Sequence, residues 1–197
     1  LILILASASP QRRKLLSKAG FRFSIYPARV QETDADTIHY KQAQKLVQNL
    51  AVKKAMAIAK KFKNKNCVIL GADTLVICNK KILGKPKNTA HARCMLESLS
   101  NRWQTVMTGL CLIKNPESKM KTACAKTKIL FHQMDSKTIS RHAQKNLDKS
   151  GSYAIQKMND RLIKHIKGDL DNVIGLPIRV FKQVLKKMKI NPNNFKK

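Results

Sequence analysis

Acidic residues are scarce in this chain. Eleven Asp and Glu stand against forty Lys and Arg, a formal net charge of +29 over 197 residues. That balance points to a polyanionic partner, a nucleotide, a nucleic acid or an acidic membrane face, or to a compositional bias toward Lys. Aromatic residues are also thin, at 5 % with one Trp, and the lysines run along the whole chain. Base-stacking platforms are therefore few, and nucleic acid is not expected as a specific partner. No apolar run approaches the roughly 20 residues that cross a bilayer, and no membrane partner is expected. The opening run, residues 1–5, is too short for the apolar core of a signal peptide, and no basic segment precedes it. The five Cys are odd in number and lack metal-type spacing, so they read as buried free thiols of a reducing compartment, and the expected location is cytoplasmic. An apolar fraction of 43 % is enough for a real core. Without linker, repeat or low-complexity block, residues 1–197 read as one α/β domain, the middle hairpin being a candidate smaller lobe.

The stretch that organises the chain is residues 1–16, LILILASASPQRRKLL. An all-apolar run reads as a strand buried on both faces. Ser9 suits a helix cap and Pro10 the first helical position, with Gly20 placed to stop the helix. A strand that feeds a helix N-terminus leaves N–H groups pointing outward, where an anion is favoured. The hydroxyls of Ser7 and Ser9, with a cation from Arg12 or Arg13, point to phosphate as that anion; the other reading is an ordinary βα turn with basic surface residues.

In so basic a chain the remaining acids are informative. Residues 27–36 form a polar loop holding Glu32, Asp34 and Asp36, where Glu32 or Asp34 is a candidate metal ligand and a solvated loop is the alternative. Helical spacing of Leu46, Val47, Leu50, Ala51, Ala55, Ile58 and Phe62 predicts a helix over 40–62, with Lys54 beside the apolar stripe and able to reach a cleft edge. A second apolar run, 67–70, enters Gly71-Ala72-Asp73-Thr74. A carboxylate there can hold a divalent metal or take a proton from water; a turn-forming Asp is the structural alternative. Strands over 75–78 and 82–83 read as a hairpin, followed by Gly84-Lys85-Pro86, in which Lys85 is a candidate phosphate contact. Helices are predicted over 89–99, 137–147 and 177–188, and strands over 21–26, 103–113 and 120–131. The segment 169–177 reads as a connector, and the polar tail from Asn191 as frayed.

Taken in order, the segments SASPQRRKLL (7–16), GADT (71–74), LGKP (83–86), TG (108–109), GSYAIQ (151–156) and NVIGLP (172–177) resemble the signatures of the Maf family of nucleoside triphosphate pyrophosphatases. The resemblance spans nearly the whole chain. It implies an elongated mixed β-sheet flanked by helices with a central cleft, similar to inosine triphosphate pyrophosphatases. It implies hydrolysis of a nucleoside triphosphate between the α- and β-phosphates, with Mg²⁺ or Mn²⁺, and a homodimer. By the family motif Asp73 would be the general base or would hold the metal, and Glu32 would join the metal site. Arg12, Lys54 and Lys85 would clamp the triphosphate, with Ser7 and Ser9 hydrogen-bonded to it. Gln11, Thr74 and Gln156 stand at the base-specificity positions. Members resembling the dTTP/UTP group carry Arg, Thr and Gln there; those resembling the 7-methyl-GTP group carry Trp, Gln and Glu. Two of three favour pyrimidines, and Gln11 departs from the pattern. Further departures are Lys157, where many members have Gly, and Asp169-Leu170, where Ser-Tyr is usual. The implied role is removal of triphosphates that would otherwise be misincorporated into nucleic acids, in a family linked to septum formation and cell division. The rival readings are a basic nucleic-acid-binding protein and a non-catalytic cell-division regulator on the same fold.

Overall fold

The computed structural model describes residues 1–31, 37–147, 149–153, 155 and 162–196. The first apolar run forms β1 (Ile2–Leu5), with Leu3, Ile4 and Leu5 buried. Ser9 then caps α1 (Pro10–Lys18), its hydroxyl accepting from the Arg12 N–H, and Gly20 turns the chain out of the helix at φ +78°. Of the strand expected over 21–26 only β2 (Ser24–Ile25) pairs with β1. After two short 3-10 turns and the helix between them, α2 (Ala43–Ala59), the chain enters β3 (Cys67–Cys78).

The sheet is mixed. Its order is β2-β1-β3-β5-β6-β7, with β4 (Lys81–Leu83) beside the far end of β3. Strands β2, β1 and β3 run parallel; β5 (Trp103–Asn115), β6 (Lys119–Phe131) and β7 (Ile163–Lys167) continue antiparallel. The β3–β4 turn places Asn79 and Lys80 at φ 49° and 58°, the left-handed pair that a tight two-residue hairpin requires. Helices cover both faces. On one face α1, α5 (Leu170–Ile174) and α6 (Ile178–Lys187) bury Leu3, Leu5, Leu16, Phe181 and Leu185. On the other, α2 buries Ala51, Ala55 and Ile58 against Ile4, Ile69 and Cys111. Helices α3 (Thr89–Leu99) and α4 (Ser136–Lys145) close a further cluster with Leu96, Leu99, Phe131 and Ile139.

Four elements differ from the sequence reading. Strand β3 does not turn after Leu70 but runs on through Gly71 and Asp73 to Cys78, because β5 pairs with it from Cys67 to Ile77. The basic strand β7 was not foreseen; its IKHIK pattern buries little, and it is held by pairing with β6. Residues 169–177 contain α5, capped by the Asp169 carboxylate accepting from the Asp171 N–H. The tail is anchored rather than frayed. Phe195 is buried, its carbonyl accepts from the Arg22 N–H at 2.6 Å, and the Lys196 ammonium lies 4.7 Å from the Phe21 ring centre.

Helix α2 lies directly on backbone. A Cβ at Gly71 would sit 2.3 Å from the Ala51 carbonyl oxygen, and one at Gly109 would sit 2.4 Å from that of Val47. Neither contact can yield by rotating a side chain. Gly71→Ala or Gly109→Ala should therefore lower stability by about 2–3 kcal/mol, the cost of overpacking a close backbone contact, read as a lower urea midpoint at unchanged slope.

Candidate active site

β1 stops at Leu5, opposite Leu70, and β4 begins pairing only at Val76. Between those points β3 has β5 on one side and, among the described residues, no strand on the other, and a cavity of about 810 Å³ opens there. It is lined by residues 6–12 from the β1–α1 turn, by residues 28–31, by Lys54, Asp73, Thr74 and Lys85, and by residues 149–150 and 173–175 among others. Asp73, Lys54, Lys85, Arg12, Ser7, Ser9, Gln11 and Thr74, all singled out from sequence, thus share one hollow. Glu32, Asp34, Asp36, Gln156 and Lys157 lie outside the described residues.

Successive strand residues face opposite sides, so Asp73 and Thr74 reach different walls. Asp73 faces α2, where the Lys54 ammonium donates to its Oδ1 in a close ion pair; both side chains are largely shielded, at 12 % and 14 % exposure. Thr74 faces α1, where its hydroxyl accepts from Arg12 Nη2 at 3.1 Å. The Arg12 guanidinium is buried and splayed over protein oxygens: Nε donates to the Gly175 carbonyl at 2.9 Å and Nη1 to Ser7 Oγ at 3.1 Å. At least three of its five N–H groups are thus committed inward, which fixes a positive charge at the cavity floor. Ser7 Oγ also accepts from the Ser9 N–H, and Ser9 Oγ accepts from the Arg12 N–H. In these bonds both serines are acceptors, so their own O–H groups remain donors for an anion.

The opposite rim is tied down from the chain's far end. Ser150 Oγ donates to the Thr74 carbonyl at 3.2 Å, and the Gly151 N–H donates to the Gly84 carbonyl at 3.0 Å. These bonds hold the turn that carries Lys149 against the loop that carries Lys85. Lys149 and Arg29 line the cavity and were not foreseen; the only signal for Lys149 is its place just before the SGSYAIQ segment. The lining also includes the apolar side chains of Val76, Val106, Ile155 and Val173 together with Tyr153. The Tyr153 ring packs edge-on to Phe131 with centres 4.9 Å apart, and burial pushes its hydroxyl's pKa upward. The cavity therefore combines cations suited to linked phosphates with apolar surface suited to a flat ring.

Asp73 is the one acid among the described residues that line this cavity, and they hold no cluster of three or more His, Cys, Asp or Glu. One carboxylate fits a Mg²⁺-type ion, which takes one or two carboxylates together with substrate phosphates and keeps water as its remaining ligands. Lys54 engages one oxygen of a group with about four lone-pair sites, so capacity for such an ion remains.

The Maf-like protein family model matches residues 2–188. Among curated relatives, the dTTP/UTP pyrophosphatase of Elusimicrobium minutum (strain Pei191) is 40 % identical over 184 residues, covering 93 % of this chain and 97 % of that one. The dTTP/UTP pyrophosphatase of Thermoanaerobacter sp. (strain X514) is 35 % identical over 187 residues, 94 % and 95 % of the two chains. That of Bacillus thuringiensis subsp. konkukian (strain 97-27) is 38 % identical over 191 residues, 96 % of each.

The electrostatics of the cleft can be tested without any reaction. Asp73→Asn removes the one acid of the described residues that shares the cavity lining with Arg12, Lys54, Lys85 and Lys149. It should tighten inorganic pyrophosphate binding roughly fivefold, on the order of 1 kcal/mol for one charge in a partly solvated site. Titration calorimetry in metal-free buffer reads this directly; unchanged affinity would mean the carboxylate does not face the anion's path.

Proposed function

The chain belongs to the Maf-like protein family, and on that premise we propose that it hydrolyses nucleoside triphosphates, dTTP and UTP foremost, to the monophosphate and pyrophosphate. The observation that carries the reading is the convergence of Asp73 with Arg12, Lys54 and Lys85 on one cavity. The triphosphate lies along the cations, which offset the charge that builds on the departing pyrophosphate. Ser7 and Ser9 donate to phosphate oxygens. Asp73, held by Lys54, sits where it can accept a proton from the attacking water or hold a divalent cation. When bound, Mg²⁺ or Mn²⁺ would neutralise phosphate charge and polarise the attacked group. Glu32 is the second candidate ligand for it. The base occupies the apolar surface near Tyr153 and Val173, with Gln11, Thr74 and Gln156 setting the choice of base.

The physiological reading is clearance of triphosphates that would otherwise enter nucleic acids. Free thiols at Cys67, Cys78, Cys94, Cys111 and Cys124 fit a reducing, cytoplasmic setting, although Cys94 is exposed and Cys124 half-buried where burial was expected of all five. Among the described residues no helix is long and apolar enough to cross a membrane. A homodimer is the assembly carried over from the family, and light scattering would check it.

Pyrophosphate release should be measured over a panel of triphosphates with Mg²⁺ and with Mn²⁺. Wild type should turn over dTTP and UTP best, and Asp73→Asn should reduce kcat by at least about 100-fold, the weight of a positioned proton acceptor. A variant working near the wild-type rate would refute the role given to Asp73. Gln11→Arg restores the residue usual in the pyrimidine group and should raise the preference for dTTP and UTP over GTP several-fold, read as the ratio of kcat/KM values.

A further inference from the structure

Behind Arg12 a row of hydroxyls crosses the sheet, and its direction can be worked out. A guanidinium only donates, so Thr74 Oγ1 is the acceptor of the 3.1 Å bond from Nη2. Thr108 Oγ1 gives its single proton to the backbone carbonyl of Asn172, 3.1 Å away. It therefore receives from Thr74, whose oxygen is 3.0 Å distant. The Thr74 proton thus points to Thr108, with the Gly175 carbonyl at 3.5 Å its longer, secondary acceptor. Asn172 is itself pinned: its Nδ2 donates to the Val106 carbonyl at 3.1 Å and to Thr127 Oγ1 at 3.0 Å. Thr108 and Asn172 are fully buried, and neither lines the cavity.

We propose that Thr108 and Asn172 are positioning residues, which turn a lone pair of Thr74 toward Arg12 and so aim the guanidinium at bound phosphates. The proposal rests on the phosphate-binding reading of the cleft. Thr74 thus acts through Arg12 on the phosphate end, whatever it also does at the base. Without the Thr108 hydroxyl, the Thr74 proton turns to the Gly175 carbonyl, which already accepts from Arg12 Nε at 2.9 Å. Two donors then compete for one carbonyl, and Arg12 loses an acceptor that held its plane.

The test compares Thr108→Val, which keeps the shape and loses the hydroxyl, with Thr108→Ser, which keeps the hydroxyl. Inorganic pyrophosphate binding is measured by calorimetry in metal-free buffer, and KM and kcat with dTTP. Thr108→Val should bind pyrophosphate roughly three- to tenfold more weakly, the weight of one buried hydrogen bond. Its KM should rise by a similar factor with kcat within about twofold. Thr108→Ser should restore both. If the Val variant binds like wild type, or the Ser variant falls with it, the relay is overturned. Should Thr108→Val not fold, Thr74→Val against Thr74→Ser decides by the same pyrophosphate criterion, since a residue that read only the base would leave pyrophosphate affinity unmoved. A wild type that binds pyrophosphate yet hydrolyses no triphosphate would sink the hydrolase reading alone, and the binding arm would still decide the relay.

Discussion

The site depends on a mismatch in strand length. β1 ends at Leu5 while its neighbour β3 runs on past Leu70 to Cys78. The exposed edge of β3 becomes the cleft, and strand alternation does the rest. Asp73 looks toward α2 and Thr74 toward α1, so two consecutive residues serve both walls of one cavity. A turn at Asp73 would have thrown both side chains to one side. The continuous pairing of β3 with β5 prevents this by holding Gly71 to Leu75 in extended conformation.

The second constraint is the distance between α2 and the sheet. Gly71 and Gly109 remove the side chains that would otherwise space the helix away, and α2 rests its own backbone on them. A helix that close brings the base of the Lys54 side chain near enough for the ammonium to meet Asp73 while staying mostly shielded. The glycines of GADT and TG therefore act on the site through helix depth and not through turn geometry.

Much of this was legible in the residues. Ser9 and Pro10 mark the start of α1 by local capping chemistry, which needs no tertiary information. The apolar stripe of α2 and the alternation of β5 carry their own periods. What escaped depends on partners far away in the chain. Gly71-Ala72-Asp73 has turn-like composition, and only the long pairing with β5 makes it strand. The IKHIK strand has little to bury and exists by its ladder to β6. The tail is polar except for Phe195, and that one ring, seated in the core with Phe21 and Phe181, holds the tail in place. Ser150, the neighbour of Lys149, lies 76 residues from Thr74, a distance that the Ser150–Thr74 hydrogen bond closes.

The excess of positive charge is best divided into two kinds. Most of the forty basic residues are exposed and act together as a field that draws polyanions in, an effect that salt screens over about 10 Å. Arg12 is different. It is buried, and its orientation is set by Ser7, Thr74 and the Gly175 carbonyl, which come from opposite ends of the chain. A field concentrates any phosphate compound, but only a cation with a fixed plane can favour one arrangement of linked phosphates over another. Selectivity for a triphosphate in so basic a protein must then come from the few cations whose geometry the fold determines, and Arg12, held by Ser7, Thr74 and the Gly175 carbonyl, is one of them.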